Sequence, residues 1–146
     1  MNTKKEFIID KKRKIKIAFH TLGCKLNFSE TSSISRTFSK DKYTIVSFNS
    51  KADVYVINTC SVTENADKKT KSLIKLILKK NINGFIAIIG CYAQLKTKEI
   101  SQIQGVDLVI GAKEKFRLAK YVKDAFIDNL DKINSCDISK VNFFNE

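Results

Sequence analysis

The chain has 146 residues, with 27 Lys plus Arg against 15 Asp plus Glu, a formal net charge of +12, four Cys, one His and no Pro or Trp. One core of that length buries roughly 70% of the unfolded surface, and 43% hydrophobic with 29% charged residues is a globular balance rather than a disordered one. No apolar run approaches the ~20 residues of a membrane helix, and a lone histidine leaves little room for Ser-His-Asp or Cys-His catalysis.

Residues 1–14 read as a basic tail. Residues 1–16 carry seven basic and two acidic side chains, so a net +5 of the charge lies at the start of the chain. Phe7-Ile8-Ile9 is too short for the apolar region of a secretory signal and runs into Asp10-Lys11-Lys12-Arg13-Lys14. A cytoplasmic protein is expected, and there cysteines are more often free, catalytic or metal-bound than paired.

Residues 15–128 alternate strand and helix. Ile15–Phe19 is a first strand, followed by a helix over 28–39. Tyr43–Val46 is a short second strand and Asp53–Asn58 a third. A helix over 62–80 follows, with Thr70, Leu73, Ile74, Ile77 and Leu78 as its apolar stripe. Phe85–Ile89 is the fourth strand, then a short helix over 97–103. Asp107–Ile110 is the fifth, then a helix over 113–127. Strands that are apolar on both faces fit a covered sheet. The alternation predicts an α/β fold with an open, mostly parallel five-stranded sheet and helices on both faces, in a Rossmann or flavodoxin-like three-layer arrangement. About six residues between the second and third strands is short for a parallel crossover. The second strand is therefore either an antiparallel edge or joined by an extended crossing. Residues 129–146 have no clear period and read as a tail or linker.

Cysteines carry the sharpest signal. Cys24, Cys60 and Cys91 follow the first, third and fourth strands, and strand C-termini of a parallel sheet share one edge, where ligands bind. Gly23 and Gly90 precede two of them and permit tight turns. Asn27-x-x-Glu30 and Ser61-x-x-Glu64 look like capping boxes that start helices there. Cysteine is also a frequent small core hydrophobe, so buried cysteines in a plain structural domain are the alternative. Three thiolates without a partner histidine suit an iron–sulfur cluster or zinc. Cys136, in the tail, is incidental.

Thr21-Leu22-Gly23-Cys24-Lys25-Leu26-Asn27, Val56-Ile57-Asn58-Thr59-Cys60-Ser61-Val62-Thr63 and Gly90-Cys91-Tyr92-Ala93-Gln94, in this order, resemble the N-terminal domain of the radical-SAM methylthiotransferases, and Gly105–Gly111 also fits. The resemblance runs from about Ile15 to about Phe126. It implies that Cys24, Cys60 and Cys91 hold an auxiliary [4Fe–4S] cluster whose open iron carries the sulfur inserted into substrate. It further implies a second [4Fe–4S] cluster with S-adenosylmethionine in a radical-SAM domain, a C-terminal RNA-binding domain, and tRNA as partner. The wording around Cys24 leans toward the branch acting on threonylcarbamoyladenosine beside the anticodon. The family's C-x3-C-x2-C motif does not occur in these residues, so a fragment, a truncated product inactive alone, or half of a split enzyme is expected. A non-catalytic metal- or RNA-binding α/β module is the alternative. Lys68, Lys71, Lys75 and Lys79 form one stripe on the helix after Cys60. They are a candidate RNA phosphate track, or a solvated face. Tyr92 either stacks near substrate or packs.

Overall fold

The computed structural model describes residues 13–23, 25–59, 64–127 and 142–144. Its strands are β1 (Ile15–Thr21), β2 (Tyr43–Val46), β3 (Val54–Thr59), β4 (Phe85–Gly90), β5 (Val106–Ile110) and β6 (Asn142–Phe144). They form one sheet in the order β2-β1-β3-β4-β5-β6, and every pairing is parallel. The five expected strands are all present. The short β6 extends the sheet beyond them, in a stretch without a clear sequence period.

Helices cover both faces, because β3, β4 and β5 are buried at every position and each face must be sealed. On one face, Ile34 of α1 (Lys25–Ser35) and Leu118 and Val122 of α5 (Leu118–Val122) pack on Ile17, Val54, Val56, Ala87, Ile89 and Ile110. On the other, Ile74 and Ile77 of α2 (Glu64–Lys80), Tyr92 and Ala93 of α3 (Cys91–Leu95) and Ile100 of α4 (Thr97–Ser101) pack on Tyr55, Ile57, Ile86, Ile88 and Val109. The α2 stripe is as the spacing predicts: Thr70, Ile74 and Ile77 are buried, with Leu73 and Leu78 half-buried. A 3-10 turn (Lys115–Arg117) precedes α5, and a π-helical turn (Lys123–Ile127) follows it.

The awkward second joint is an extended crossing between parallel strands. Val46 pairs with Ala18 and Val54 with Ile17, so β2 ends nearly level with the start of β3, one strand to either side of β1. The gap is two strand spacings, about 10 Å, and the residues between reach about 23 Å when extended. No helix is needed. The crossing is fastened instead by Tyr55, whose hydroxyl accepts from the Ala52 N–H at 2.7 Å and donates to the Ser50 carbonyl at 3.2 Å. Phe48 closes the core there, 4.9 Å from the His20 ring and 5.7 Å from the Tyr55 ring. At the end of the crossing, Asp53 takes a bidentate ion pair from Arg13 at 2.8 and 2.9 Å and the Lys16 N–H at 2.8 Å. Arg13, though in the basic tail by sequence, is thus tied to the domain. Among the described residues, no helix is long and apolar enough to cross a membrane.

Candidate functional site

The chain leaves β1 toward α1 on one face and leaves β3 toward α2 on the other. The connections diverge between two adjacent strands, which opens a crevice at their C-terminal ends. Cys24 and Cys60 are the residues that follow those two strand exits. Both lie outside the described residues, as does Cys136. Their flanks are described. Gly23, directly before Cys24, has φ 116°, and Lys25, directly after it, begins α1. Thr59, directly before Cys60, pairs in register with Gly90, directly before Cys91. Cys91 opens α3 as an exposed, free thiol. Among the described residues, no group of three His, Cys, Asp or Glu could hold a metal ion; Cys91 is the one expected ligand among them.

Gly90 is needed as glycine. Its φ is 107° and its ψ −164°, a region almost confined to glycine, and a Cβ there would stand 2.2 Å from the Thr59 carbonyl oxygen. The two strand exits therefore run closer together than any side chain would allow. Thr59 reinforces this approach by donating its hydroxyl to the Ile89 carbonyl at 2.7 Å.

A buried polar network joins the β1 and β3 exits. The Leu22 N–H donates to the Asn58 carbonyl at 2.8 Å. The Asn27 amide donates to the Leu22 carbonyl at 2.8 Å and to the Asn58 carbonyl at 3.2 Å. In return the Asn58 amide donates to Thr31 Oγ1 at 2.9 Å and to the Asn27 carbonyl at 3.4 Å. Thr31 also accepts from the Thr21 hydroxyl at 2.7 Å and donates to the Asn27 carbonyl at 3.0 Å. This corrects the capping-box expectation for Asn27 and Glu30. Asn27 lies inside α1, which already begins at Lys25, and its side chain serves the loop behind it. Glu30 points across to Lys115, a nearly buried lysine, and forms an ion pair with it. The Ser61–Glu64 box lies outside the described side chains.

Tyr92 packs: it is 2% exposed, and its hydroxyl donates to Asp67 on α2. Burial, then this bond, pushes the phenol well above its ordinary value, while the Tyr92 hydroxyl and then Lys71 hold the Asp67 carboxyl below its own. Lys68, Lys71, Lys75 and Lys79 are all exposed, as one outer stripe of α2, and Lys71 pairs with Asp67 at 3.1 Å. His20 sits on β1 against Phe48, its pKa lowered by burial and then by Lys80. Sequence reasoning missed the roles of Asn58 and Thr31 and the helix α3. An asparagine closing the otherwise apolar run Val54–Ile57 was the available signal for the first.

Residues 16–111 match the uncharacterized protein family UPF0004. The chain belongs to this family. The threonylcarbamoyladenosine tRNA methylthiotransferase MtaB of Bacillus subtilis (strain 168) is 40% identical over 131 residues, 89% of this chain and 29% of that protein. MtaB of Aquifex aeolicus (strain VF5) is 38% identical over 110 residues, 75% of this chain and 27% of its own. The tRNA-2-methylthio-N(6)-dimethylallyladenosine synthase of Methylacidiphilum infernorum (isolate V4) is 36% identical over 125 residues, 82% and 27%. The resemblance to the methylthiotransferase N-terminal domain, on the MtaB side, is thereby shown. The chain spans less than a third of the length of these curated relatives.

Proposed function

We propose that this domain is the iron–sulfur-carrying part of a cytoplasmic tRNA methylthiotransferase, with Cys24, Cys60 and Cys91 as the cluster's protein ligands. The observation that carries the reading is the crevice between β1 and β3. Two of the three cysteines follow the strands that form it, and the third is exposed on the adjacent strand exit. The donor set fits a soft thiolate-bound group: three cysteines, the described one free, and strand ends held close by Gly90. A [4Fe–4S] cluster with three protein thiolates supplies, when bound, an open iron able to hold the sulfur delivered to substrate.

The chain's own residues have defined parts in this reading. Gly23 and Gly90 turn the backbone into the cysteines, Asn27 and Asn58 tie two strand exits together, and the Lys68, Lys71, Lys75 and Lys79 stripe offers ammonium groups to tRNA phosphates. Identity to the two MtaB proteins supports threonylcarbamoyladenosine beside the anticodon as the substrate. These 146 residues contain no C-x3-C-x2-C. Cleavage of S-adenosylmethionine by a second cluster is thus assigned to residues outside them, as is the C-terminal RNA-binding domain, and this chain alone is expected to be inactive.

Anaerobic reconstitution with iron and sulfide tests the reading. A broad visible sulfur-to-iron absorbance is expected, lost in each of Cys24→Ala, Cys60→Ala and Cys91→Ala and kept in Cys136→Ala. Zinc uptake without a chromophore would make this a non-catalytic metal module instead. No metal uptake would make this a plain structural domain.

A further inference from the structure

We propose that Asn27 and Asn58 are positioning residues for Cys24 and Cys60, an interlocked pair of amides that fixes where both cysteine loops leave the sheet. The proposal deepens the cysteine-site reading above and rests on it.

The two amides are reciprocal. Each donates to the other residue's main-chain carbonyl, at 3.2 and 3.4 Å. Neither can move without releasing the other. The Asn27 bond to the Leu22 carbonyl also closes the backbone on both sides of Gly23 and Cys24 into a ring. The Leu22 N–H, bound to the Asn58 carbonyl, pins that ring two residues ahead of Cys60.

An unpaired oxygen points the same way. Asn58 is fully buried, and its Oδ1 has no hydrogen-bond partner among the described residues. The orientation of the amide is forced. Its nitrogen faces the Asn27 carbonyl, which can only accept, so Oδ1 must face the other way. There it lies 3.0 Å from the place a Gly90 Cβ would take, at the root of the third cysteine. Apolar groups of the same shape often replace a buried polar pair at little or no cost in stability. A network that leaves one acceptor unpaired is better explained by the geometry it imposes. It reaches the residues ahead of all three cysteines: Leu22, Asn58 with Thr59, and Gly90.

The 146-residue chain supports a test with two readouts. The first is the alkylation rate of each cysteine in reduced, metal-free protein, resolved by peptide mass spectrometry with iodoacetamide. Asn27→Ala is expected to speed Cys24 and Cys60 together and to leave Cys136 unchanged. The second is retention of the reconstituted chromophore against a chelator, expected to fall about 10- to 100-fold, the usual effect of removing a residue that orients metal ligands. Asn81→Ala is the control. It deletes an equivalent amide-to-carbonyl bond, to Ala52 at 2.8 Å, at the far edge of the sheet, and should move neither readout at equal loss of stability. Where Asn27→Ala does not fold, the isosteric Thr31→Val should show the same pattern more weakly, with Thr31→Ser restoring it. Equal effects of Asn27→Ala and Asn81→Ala on Cys24 and Cys60 would overturn the proposal. Failure of the wild-type chain to take up a cluster would remove the cofactor reading, and the alkylation pattern would still decide the role of the amides.

Discussion

Gly90→Ala should be more damaging than alanine at Gly84 or Gly105. Two costs combine. The backbone at φ 107°, ψ −164° costs about 1–3 kcal/mol for a residue with a Cβ. The new methyl would also stand 2.2 Å from the Thr59 carbonyl oxygen, a main-chain atom held in the centre of the sheet, and overpacking of that kind costs about 1–3 kcal/mol. Together they amount to about 4 kcal/mol, a large share of the ~5–15 kcal/mol that holds a domain together. At ~2–4 °C per kcal/mol for this size, Tm should fall by about 8–16 °C. Two other glycines set the scale. Gly105 also has a positive φ, 105°, but its Cβ would meet the flexible Leu78 tip at 2.9 Å, and Gly84 would meet only the Tyr55 ring edge and the Asn81 carbonyl at 3.0 Å or beyond. Urea unfolding followed by circular dichroism should rank the losses Gly90→Ala, then Gly105→Ala, then Gly84→Ala. If Gly90→Ala loses no more than Gly105→Ala, the β3 and β4 exits slide apart freely and do not hold the cysteines close.

The Glu30–Lys115 pair predicts an asymmetry in urea midpoints: Lys115 is 6% exposed in its side chain and Glu30 26%. Glu30→Ala strands a buried ammonium and should cost about 2–3 kcal/mol, whereas Lys115→Met leaves a carboxylate that water can reach and should cost ~1 kcal/mol or less. Burial pushes the Tyr43 phenol up to about 12, so the folded state favours its neutral form. That stability is whole below the unfolded value of about 10 and is lost as pH rises through about 12. Urea midpoints should therefore fall over this window, and fall less in Tyr43→Phe. If α2 tracks tRNA phosphates, replacing Lys68, Lys71, Lys75 and Lys79 with Gln should flatten the log–log salt dependence of tRNA binding by about 0.7–0.9 for each phosphate no longer neutralised. An unchanged slope would make the stripe a solvated face.

Much of this architecture is legible in the chain because its strands are β-branched, apolar on both faces and separated by helix-period segments. Tyr43–Val46 is read to the residue. The direction of β2 was not legible, because it depends on the register of β1 with both neighbours, and register is a property of pairs rather than of a segment. Asn27 illustrates a different limit. Asn-x-x-Glu is a sound local signature for a helix start, yet tertiary partners claim both side chains, Leu22 and Asn58 for one and Lys115 for the other. The helix α3 begins directly at Cys91 without a side-chain cap, so no start signal marks it. The shared edge of the β1, β3 and β4 exits, by contrast, follows from their parallel pairing, which the alternation of strand and helix does carry.

The position of β1 between β2 and β3 has a consequence for how the domain is made. β2 emerges soon after β1 and can pair with it at once, on one side only. The other side of β1 waits for β3, whose last residue follows roughly 40 residues later, or roughly 2–8 s at synthesis rates of ~5–20 residues per second. Until then β1 presents an open row of N–H and C=O groups, the kind of edge that recruits wrong partners. The crevice therefore closes only once β3 has followed β2, and until then β1 is a waiting template for the centre of the sheet.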